Sequence, residues 1–185
     1  MSWFQQQGLD WEMVSRASKY MAGGLAMGLG AIGAGVGEGY NAGEALDSAA
    51  RQPGVQGNLL RSMLVGQAIA ETAGIFALVI AFILIFADAA PGPEASAALL
   101  GSGLAMGLGS MGAGVGCGIA GGSTVASIGR NPQSGGKALL SMLLGQGLAT
   151  TPAVFALVIA VLLAFSQQFG MYTGFDPVPA TAAFS

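Results

Sequence analysis

Apolar residues follow one another in four long stretches, at about 21–49, 62–87, 97–127 and 138–165. Each stretch exceeds the roughly 20 residues with which an α-helix crosses the hydrocarbon core of a bilayer. Short polar segments separate the stretches and leave little chain for an aqueous domain. The pattern therefore predicts an all-α membrane protein with four transmembrane helices.

The second half of the chain repeats the first half at an offset of 79 residues, the distance from position 24 to position 103. The sequence GLAMGLG occurs at 24–30 and again at 103–109, and FALVIA occurs at 76–81 and again at 155–160. A fixed period of this length indicates duplication of one two-helix unit. The predicted fold is therefore two tandem helical hairpins.

The repeat divides the chain into five segments. We expect them at 1–20 (N-terminal segment), 21–87 (first hairpin), 88–100 (linker), 101–166 (second hairpin) and 167–185 (C-terminal tail). The N-terminal segment places aromatic residues among polar ones, which favours an amphipathic segment at the membrane interface. The start of a cleaved signal peptide is the alternative.

Composition agrees with lipid as the solvent, because 53% of the residues are hydrophobic and only 8% are charged. The net charge of -3 is spread thinly, with neither a basic run nor an acidic tail, so we predict no nucleic-acid partner. One cysteine and no histidine argue against a disulfide framework and against a zinc or haem site. We expect no cofactor.

The two hairpin turns, RQPGVQG at 51–57 and RNPQSGG at 130–136, lie on one side of the membrane because an even number of spans separates them. Four basic residues lie on that side, and the positive-inside rule therefore places it in the cytoplasm: Arg51, Arg61, Arg130 and Lys137. The linker and both termini would then face outward.

Two ionisable residues lie well inside the predicted spans, Glu38 and Glu71. The midpoint between them falls at Gly54 and Val55 in the first turn, so they stand at matching heights on antiparallel helices. At a rise of 1.5 Å per residue, both lie roughly 25 Å from the turn. A charge at that depth costs at least ~2.5–3.5 kcal/mol, which a purely structural role does not explain. We therefore expect Glu71 to bind and release a cation.

Two carboxylates at one depth in a low dielectric are not easily ionised together, so a proton shared by the pair would make Glu38 a helper ligand. Thr72 follows Glu71 and offers a hydroxyl oxygen to a hard cation such as Na+. The alternative for Thr72 is a hydroxyl that donates back to the carbonyl four residues earlier.

The second hairpin has no such pair, because Cys117 replaces Glu38 and Thr150 replaces Glu71. We expect Cys117 to be a small packing residue. Pro152 stands where the first hairpin has Ala73, and it predicts a kink in the fourth helix.

Three motifs carry a resemblance to a known family: GLGAIGAGVGEGYNAG at 28–43, ARQP at 50–53 and GQAIAETAGIFALVIAFILIF at 66–86. They resemble the c subunit of F-type ATP synthases, the proteolipid of the rotor ring, over residues 22–87 and, as a second copy, 101–165. The doubled hairpin looks like the proteolipid of V-type ATPases. The mixture of F-type motifs with a doubled hairpin resembles the duplicated c subunit in the Na+-dependent ATP synthases of acetogenic bacteria.

The resemblance implies a non-catalytic, ion-translocating subunit of a rotor ring in a bacterial plasma membrane. Its implied partners are other c subunits in the ring, the stator a subunit, the central stalk subunits and membrane lipid. The hairpin turns would face the central stalk through Arg51, Gln52, Pro53, Arg130, Asn131 and Pro132, although ordinary turn chemistry also explains these residues.

In sodium-binding members of the family, four groups surround the ion: a glutamine on the first helix, a backbone carbonyl two residues before the glutamate, the glutamate, and a following Ser or Thr. In this sequence those places hold Glu38, Ile69, Glu71 and Thr72. The chain departs from the family where Ala73 replaces a threonine and Phe76 replaces a tyrosine. The implied coupling ion is Na+, with H+ as the alternative.

A stand-alone ion channel or transporter is the alternative function, since internal repeats are common in transporters as well. Transporter repeats are often inverted, whereas this repeat is parallel. No other part of the sequence offers a gate or a substrate pocket.

Overall fold

The computed structural model describes residues 10–166, and within them the chain forms five α-helices and two 3-10 turns. In chain order they are α1 (Trp11–Arg51), a turn (Pro53–Val55), α2 (Gln56–Phe86), α3 (Pro93–Arg130), a turn (Pro132–Ser134), α4 (Gly135–Ala149) and α5 (Thr151–Ala164). Four helical stretches are long and apolar enough to span a membrane, and α4 and α5 together form the last of them. The predicted all-α fold of two hairpins is confirmed.

Helix α1 begins ten residues before the first apolar stretch. Asp10 caps it, because the Asp10 Oδ1 accepts hydrogen bonds from the backbone N–H groups of Glu12 at 3.0 Å and Met13 at 3.4 Å. Residues 11–20 of the N-terminal segment therefore run as helix without a break into the first span. The rest of the N-terminal segment, 1–9, and the tail 167–185 lie outside the described residues.

The start of α1 is tied to the linker between the hairpins. Ser15 Oγ lies 3.1 Å from Ser96 Oγ, and Lys19 Nζ donates a hydrogen bond to the Ala87 carbonyl at 3.2 Å. Helix α3 begins at Pro93, inside the linker expected at 88–100, because a proline at the first helical position needs no N–H partner. Between the two hairpins, the chain is therefore non-helical only between Phe86 and Pro93.

Both hairpin turns have the same construction. Helix α1 ends at Arg51 and Pro53 opens a 3-10 turn, and helix α3 likewise ends at Arg130 before Pro132. A proline ends each helix because its ring clashes with the preceding turn and it has no N–H to donate.

Helices α1 and α3 make the most extensive helix pair of the described chain. Their backbones touch: a Cβ placed on Gly37 would lie 2.2 Å from the Gly114 carbonyl oxygen, and one on Gly118 would lie 2.1 Å from the Gly37 Cα. Glycine permits this approach, which stabilises helix pairs in lipid by van der Waals contact. Helix α2 packs against both α1 and α3, whereas α4 and α5 pack mainly on α3.

The fourth span is interrupted at its middle. Helix α4 ends at Ala149 and α5 begins at Thr151, immediately before Pro152. The proline cannot donate to the carbonyl four residues earlier and its ring crowds that carbonyl. The interruption therefore lies where Pro152 predicts a kink.

Candidate ion-binding site

Glu71 is the central residue of α2 and lies on the exposed side of that helix. The opposite side of α2 is buried against the rest of the chain. In a membrane, the exposed side of α2 contacts hydrocarbon or another protein midway across the bilayer. The carboxylate is surrounded on this side by large apolar residues that are 40% to 60% exposed, namely Leu64, Ile75, Leu78, Val79 and Phe82.

Glu38 lies on α1, partly buried, and its carboxylate interacts electrostatically with that of Glu71. The structure thus brings together the two residues that stand at matching heights in the sequence. The backbone at Glu38 is held by α2, because Gln67 Nε2 donates a hydrogen bond to the Glu38 carbonyl at 3.2 Å.

The Thr72 hydroxyl lies one position beyond Glu71 and donates a hydrogen bond to the Ile69 carbonyl at 2.6 Å. Such a bond back to the preceding turn is ordinary for a threonine in a helix, and its acceptor lies three residues earlier rather than four. It also places side by side the two oxygens that the family resemblance assigns to the ion, the Thr72 Oγ1 and the Ile69 carbonyl. For both oxygens to face a cation, the hydroxyl hydrogen must turn away from Ile69.

The second hairpin holds neutral groups in the same places. Cys117 is completely buried, and its Sγ lies 3.6 Å from the Gln146 carbonyl. The hydroxyl of Thr150 donates to the Gly147 carbonyl at 2.9 Å, and that of Thr151 donates to the same carbonyl at 3.4 Å. Each of these side chains donates to a backbone carbonyl of its own hairpin, and none of them supplies a charge for a cation.

Two buried amides near the site were not predicted. Gln146 is completely buried, and its Nε2 donates to the Gly66 carbonyl at 3.0 Å and to the Cys117 carbonyl at 2.8 Å. Asn41 is also completely buried, and its Nδ2 donates to the Met63 carbonyl at 3.1 Å. For Gln146 the repeat gave a signal, since Gln67 and Gln146 occupy the same place in the two hairpins. Asn41 has no such counterpart, because the repeat places Ala120 there.

The hairpin turns lie side by side at one end of the helices. A groove between them is lined by Asn58 and Arg61 from the first hairpin and by Pro132 and Gln133 from the second. Of the six turn residues expected to face a partner, all but the partly buried Pro132 are exposed: Arg51, Gln52, Pro53, Arg130 and Asn131.

The chain matches the family model of the ATP synthase c subunit twice, at residues 21–84 and 100–163, which together make up more than half of its length. The two matches coincide with the two hairpins. The alternative of a stand-alone channel or transporter finds no support in this match.

Curated relatives are named as the c subunit of ATP synthase. The chain is 48% identical over 80 residues to that protein of Natranaerobius thermophilus and 45% identical over 82 residues to that of Alkaliphilus oremlandii. Each alignment covers 92% of the relative but only 43% or 44% of this chain. With the protein of Thermotoga petrophila the identity is 49% over 67 residues, which is 79% of the relative and 36% of this chain. Each relative thus corresponds in length to about one of the two repeats.

Proposed function

The chain belongs to the family of ATP synthase c subunits, and from that membership we propose that its first hairpin carries Na+ on the Glu71 carboxylate while its second hairpin carries no ion. The observation that supports the proposal most is the position of Glu71. Glu71 lies at the centre of an exposed apolar helix side and directly before Thr72 in the chain, and its carboxylate is within electrostatic reach of Glu38.

Members of this family are non-catalytic rotor subunits that move ions through the membrane part of an ATP synthase. The chain is accordingly a multi-pass membrane protein with four spanning helices. Nucleotide chemistry belongs to other subunits of the complex.

Neutralisation is the physical reason for binding an ion at Glu71. A bare carboxylate facing hydrocarbon is held in place by the free energy of its own desolvation. With one proton shared between Glu38 and Glu71, the pair carries one negative charge, and one Na+ makes the site neutral. The neutral site can then turn through lipid from the stator channel by which the ion enters to the one by which it leaves.

Two oxygens close to Glu71 in the sequence support Na+ over H+. The Thr72 hydroxyl and the Ile69 carbonyl are hard oxygen ligands of the kind that such a cation prefers, and they already lie 2.6 Å apart. A proton needs neither of them. H+ is the competing ion, since a carboxylate pair without further ligands is sufficient to carry it.

The remaining partners follow from the same family role. The chain would form a ring with other copies or with related subunits, and a positive side chain of the stator a subunit would displace the ion from Glu71. The hairpin turns, with Arg51 and Arg130 at the ends of α1 and α3, would face the cytoplasm and contact the central stalk. One carboxylate pair for every four helices lowers the number of ions per turn and favours ATP-driven pumping.

The test is labelling of the purified complex with dicyclohexylcarbodiimide, which attacks a protonated carboxyl in an apolar environment, with and without NaCl at fixed pH. We expect modification of Glu71 and protection by Na+. Modification without protection assigns the site to H+, and absence of modification overturns Glu71 as the ion carrier.

Two variants serve as controls for the labelling. Glu71→Gln removes the reactive carboxyl and should abolish the label. Glu38→Gln keeps the Glu71 carboxyl and should keep the label, with altered protection by Na+ because the second carboxylate is gone. Labelling that moves to Glu38 in wild-type protein would reverse the roles of the two residues.

A further inference from the structure

The two hairpins pack against each other through α1 and α3, and each hairpin has a second, uncovered side. Because the hairpins are repeats, the uncovered side of each resembles the covered side of the other. Five glycines of α3 pack against α1 so closely that a Cβ on any of them would lie 2.1 to 2.7 Å from an atom of the first hairpin. Their counterparts on α1, one repeat earlier, have nothing within 4 Å. The contacting glycines are Gly103, Gly107, Gly114, Gly118 and Gly122, and their open counterparts are Gly24, Gly28, Gly35, Gly39 and Gly43.

The second hairpin has the complementary open side. Leu104, Leu108 and Ile119 on α3 are 41%, 52% and 51% exposed, whereas Leu25 and Leu29, the counterparts of the two leucines, are partly buried against the second hairpin. The open side of the first hairpin and the open side of the second thus repeat the two halves of an interface that already exists within the chain. A second copy placed in the same register continues that interface.

One residue pair makes the two versions of this interface different. Within the chain, Asn41 of α1 lies against Gly121 of α3, where a Cβ would come to 2.8 Å from Asn41 Nδ2 and 3.0 Å from Asn41 Cγ. The amide therefore requires a glycine opposite it. One repeat away, the corresponding positions hold Ala120 in the second hairpin and Ala42 in the first.

Contact between neighbouring hairpins belongs to the role in a ring; within that contact, we propose that Ala42 is a selectivity residue, which accepts Ala120 of another copy of this chain and excludes a neighbour with a larger side chain at that place. Both interfaces then pair residues of compatible size. Within the chain the large Asn41 meets Gly121, and between copies the small Ala42 meets Ala120. A neighbour with asparagine at the place of Ala120 would direct its amide into the Ala42 methyl group. Ala42 therefore selects a neighbour that has a small residue there.

The second hairpin is otherwise able to hold an asparagine at position 120. Asn41 needs Gly66 beside it, because a Cβ there would lie 2.7 Å from Asn41 Nδ2, and it needs the Met63 carbonyl as acceptor. The repeat provides both in the second hairpin, as Gly145 and the carbonyl of Met142. An asparagine at 120 is thus compatible with the fold of its own hairpin, and its conflict is with the neighbour alone.

This inference rests on the proposed role in a ring, and the experiment separates the two. The full-length chain is purified in mild detergent as wild type, Ala120→Asn, Ala120→Ser, Ala42→Gly and the double variant Ala120→Asn with Ala42→Gly. Native mass spectrometry measures the fraction of chains in rings, circular dichroism measures helix content, and carbodiimide labelling of Glu71 reports on the ion site independently.

We expect Ala120→Asn to lower the ring fraction at least about tenfold at unchanged helix content, because the larger amide would overlap the Ala42 methyl group of the neighbouring copy. Ala42→Gly in the same chain should restore the ring, and Ala120→Ser should assemble like wild type. Three outcomes would each overturn the proposal. Ala120→Asn forms rings at the wild-type level, Ala42→Gly does not restore the rings that Ala120→Asn loses, or the wild-type chain forms no ring by itself. Labelling of Glu71 that fails while rings form counts against the ion site and leaves this interface standing.

Discussion

In the first hairpin, Glu38 and Glu71 interact electrostatically, whereas in the second hairpin the same places hold Cys117 and Thr150, which donate to backbone carbonyls of their own hairpin. The two hairpins share the positions of their turns and of most of their glycines, although the last span of the second hairpin is interrupted at Pro152. The comparison shows that a hairpin of this family forms with or without the two carboxylates.

The two hairpins also differ in how their first helices are covered. Helix α3 contacts α1, α2, α4 and α5, and twenty of its residues are buried, including Cys117; α1 has eleven buried residues over a longer helix. A charge at the place of Cys117 would therefore be enclosed by protein on all sides. Glu38 in the first hairpin keeps a partly open environment, which suits a group that exchanges an ion.

The largest effect is expected at Glu71 itself. Glu71→Gln should lower ion-driven ATP synthesis by the reconstituted complex at least about 100-fold, because a neutral amide cannot alternate between a charged and a neutral state at the bilayer centre. Thr150→Val, the matched change in the second hairpin, should leave the rate unchanged. Sodium-dependent ATP synthesis in proteoliposomes is the measurement, and an active Glu71→Gln complex would exclude Glu71 as the carrier.

The next effect concerns the packing of glycines, which is tight at Gly118 in the second hairpin and open at Gly39 in the first. Gly118→Ala should destabilise the dispersed single chain by about 1–3 kcal/mol, because the new Cβ would meet the Gly37 backbone at 2.1 Å. Gly39→Ala, its counterpart, meets nothing within 4 Å and should leave the single chain unchanged. Helix content during titration with sodium dodecyl sulfate checks both, and equal losses for the two variants would contradict the asymmetry.

Much of the fold was predictable because lipid allows few solutions. Four apolar stretches require four helices, the turn prolines at 53 and 132 end α1 and α3, and Pro152 interrupts the last span. Helix ends outside the lipid were harder to predict. The Asp10 cap carries α1 far past its apolar stretch, and hydropathy contains no information on such caps.

Within the candidate site, the two carboxylates are the residues that the sequence singles out. A carboxylate deep in a membrane is rare, so Glu38 and Glu71 stand out in the sequence. The buried amides of Asn41 and Gln146 do not, because asparagine and glutamine are common and their role depends on which backbone lies opposite them. Nor does the sequence tell which copy of a repeated glycine is packed, since that depends on which hairpin follows along the chain.

A third effect compares the two glutamines of the repeat. Gln146→Leu should destabilise the single chain by about 1–2 kcal/mol, because it removes two hydrogen bonds in a completely buried place. Gln67→Leu removes one longer bond, to the Glu38 carbonyl, in a partly open place and should cost less than half as much. The same detergent titration measures both. A greater loss for Gln67→Leu would mean that the bond at Glu38 supports the fold rather than the ion site.

The smallest effect is expected at the hydroxyl beside Glu71. If Thr72 Oγ1 contributes one oxygen to the ion, Thr72→Ala should raise the NaCl concentration that protects Glu71 from carbodiimide by about fivefold, which corresponds to about 1 kcal/mol for a single neutral ligand. Thr151→Ala is the matched control, because Thr151 bonds to the Gly147 carbonyl in a hairpin without a carboxylate, and it should not change the protection. The competing explanation is that Thr72 only bonds back to Ile69, as threonines in helices commonly do. Under that explanation, NaCl protects Glu71 in both variants at the same concentration as in wild type. An unchanged NaCl dependence for Thr72→Ala would therefore remove the hydroxyl from the ion site and leave the carboxylate pair as its main ligands.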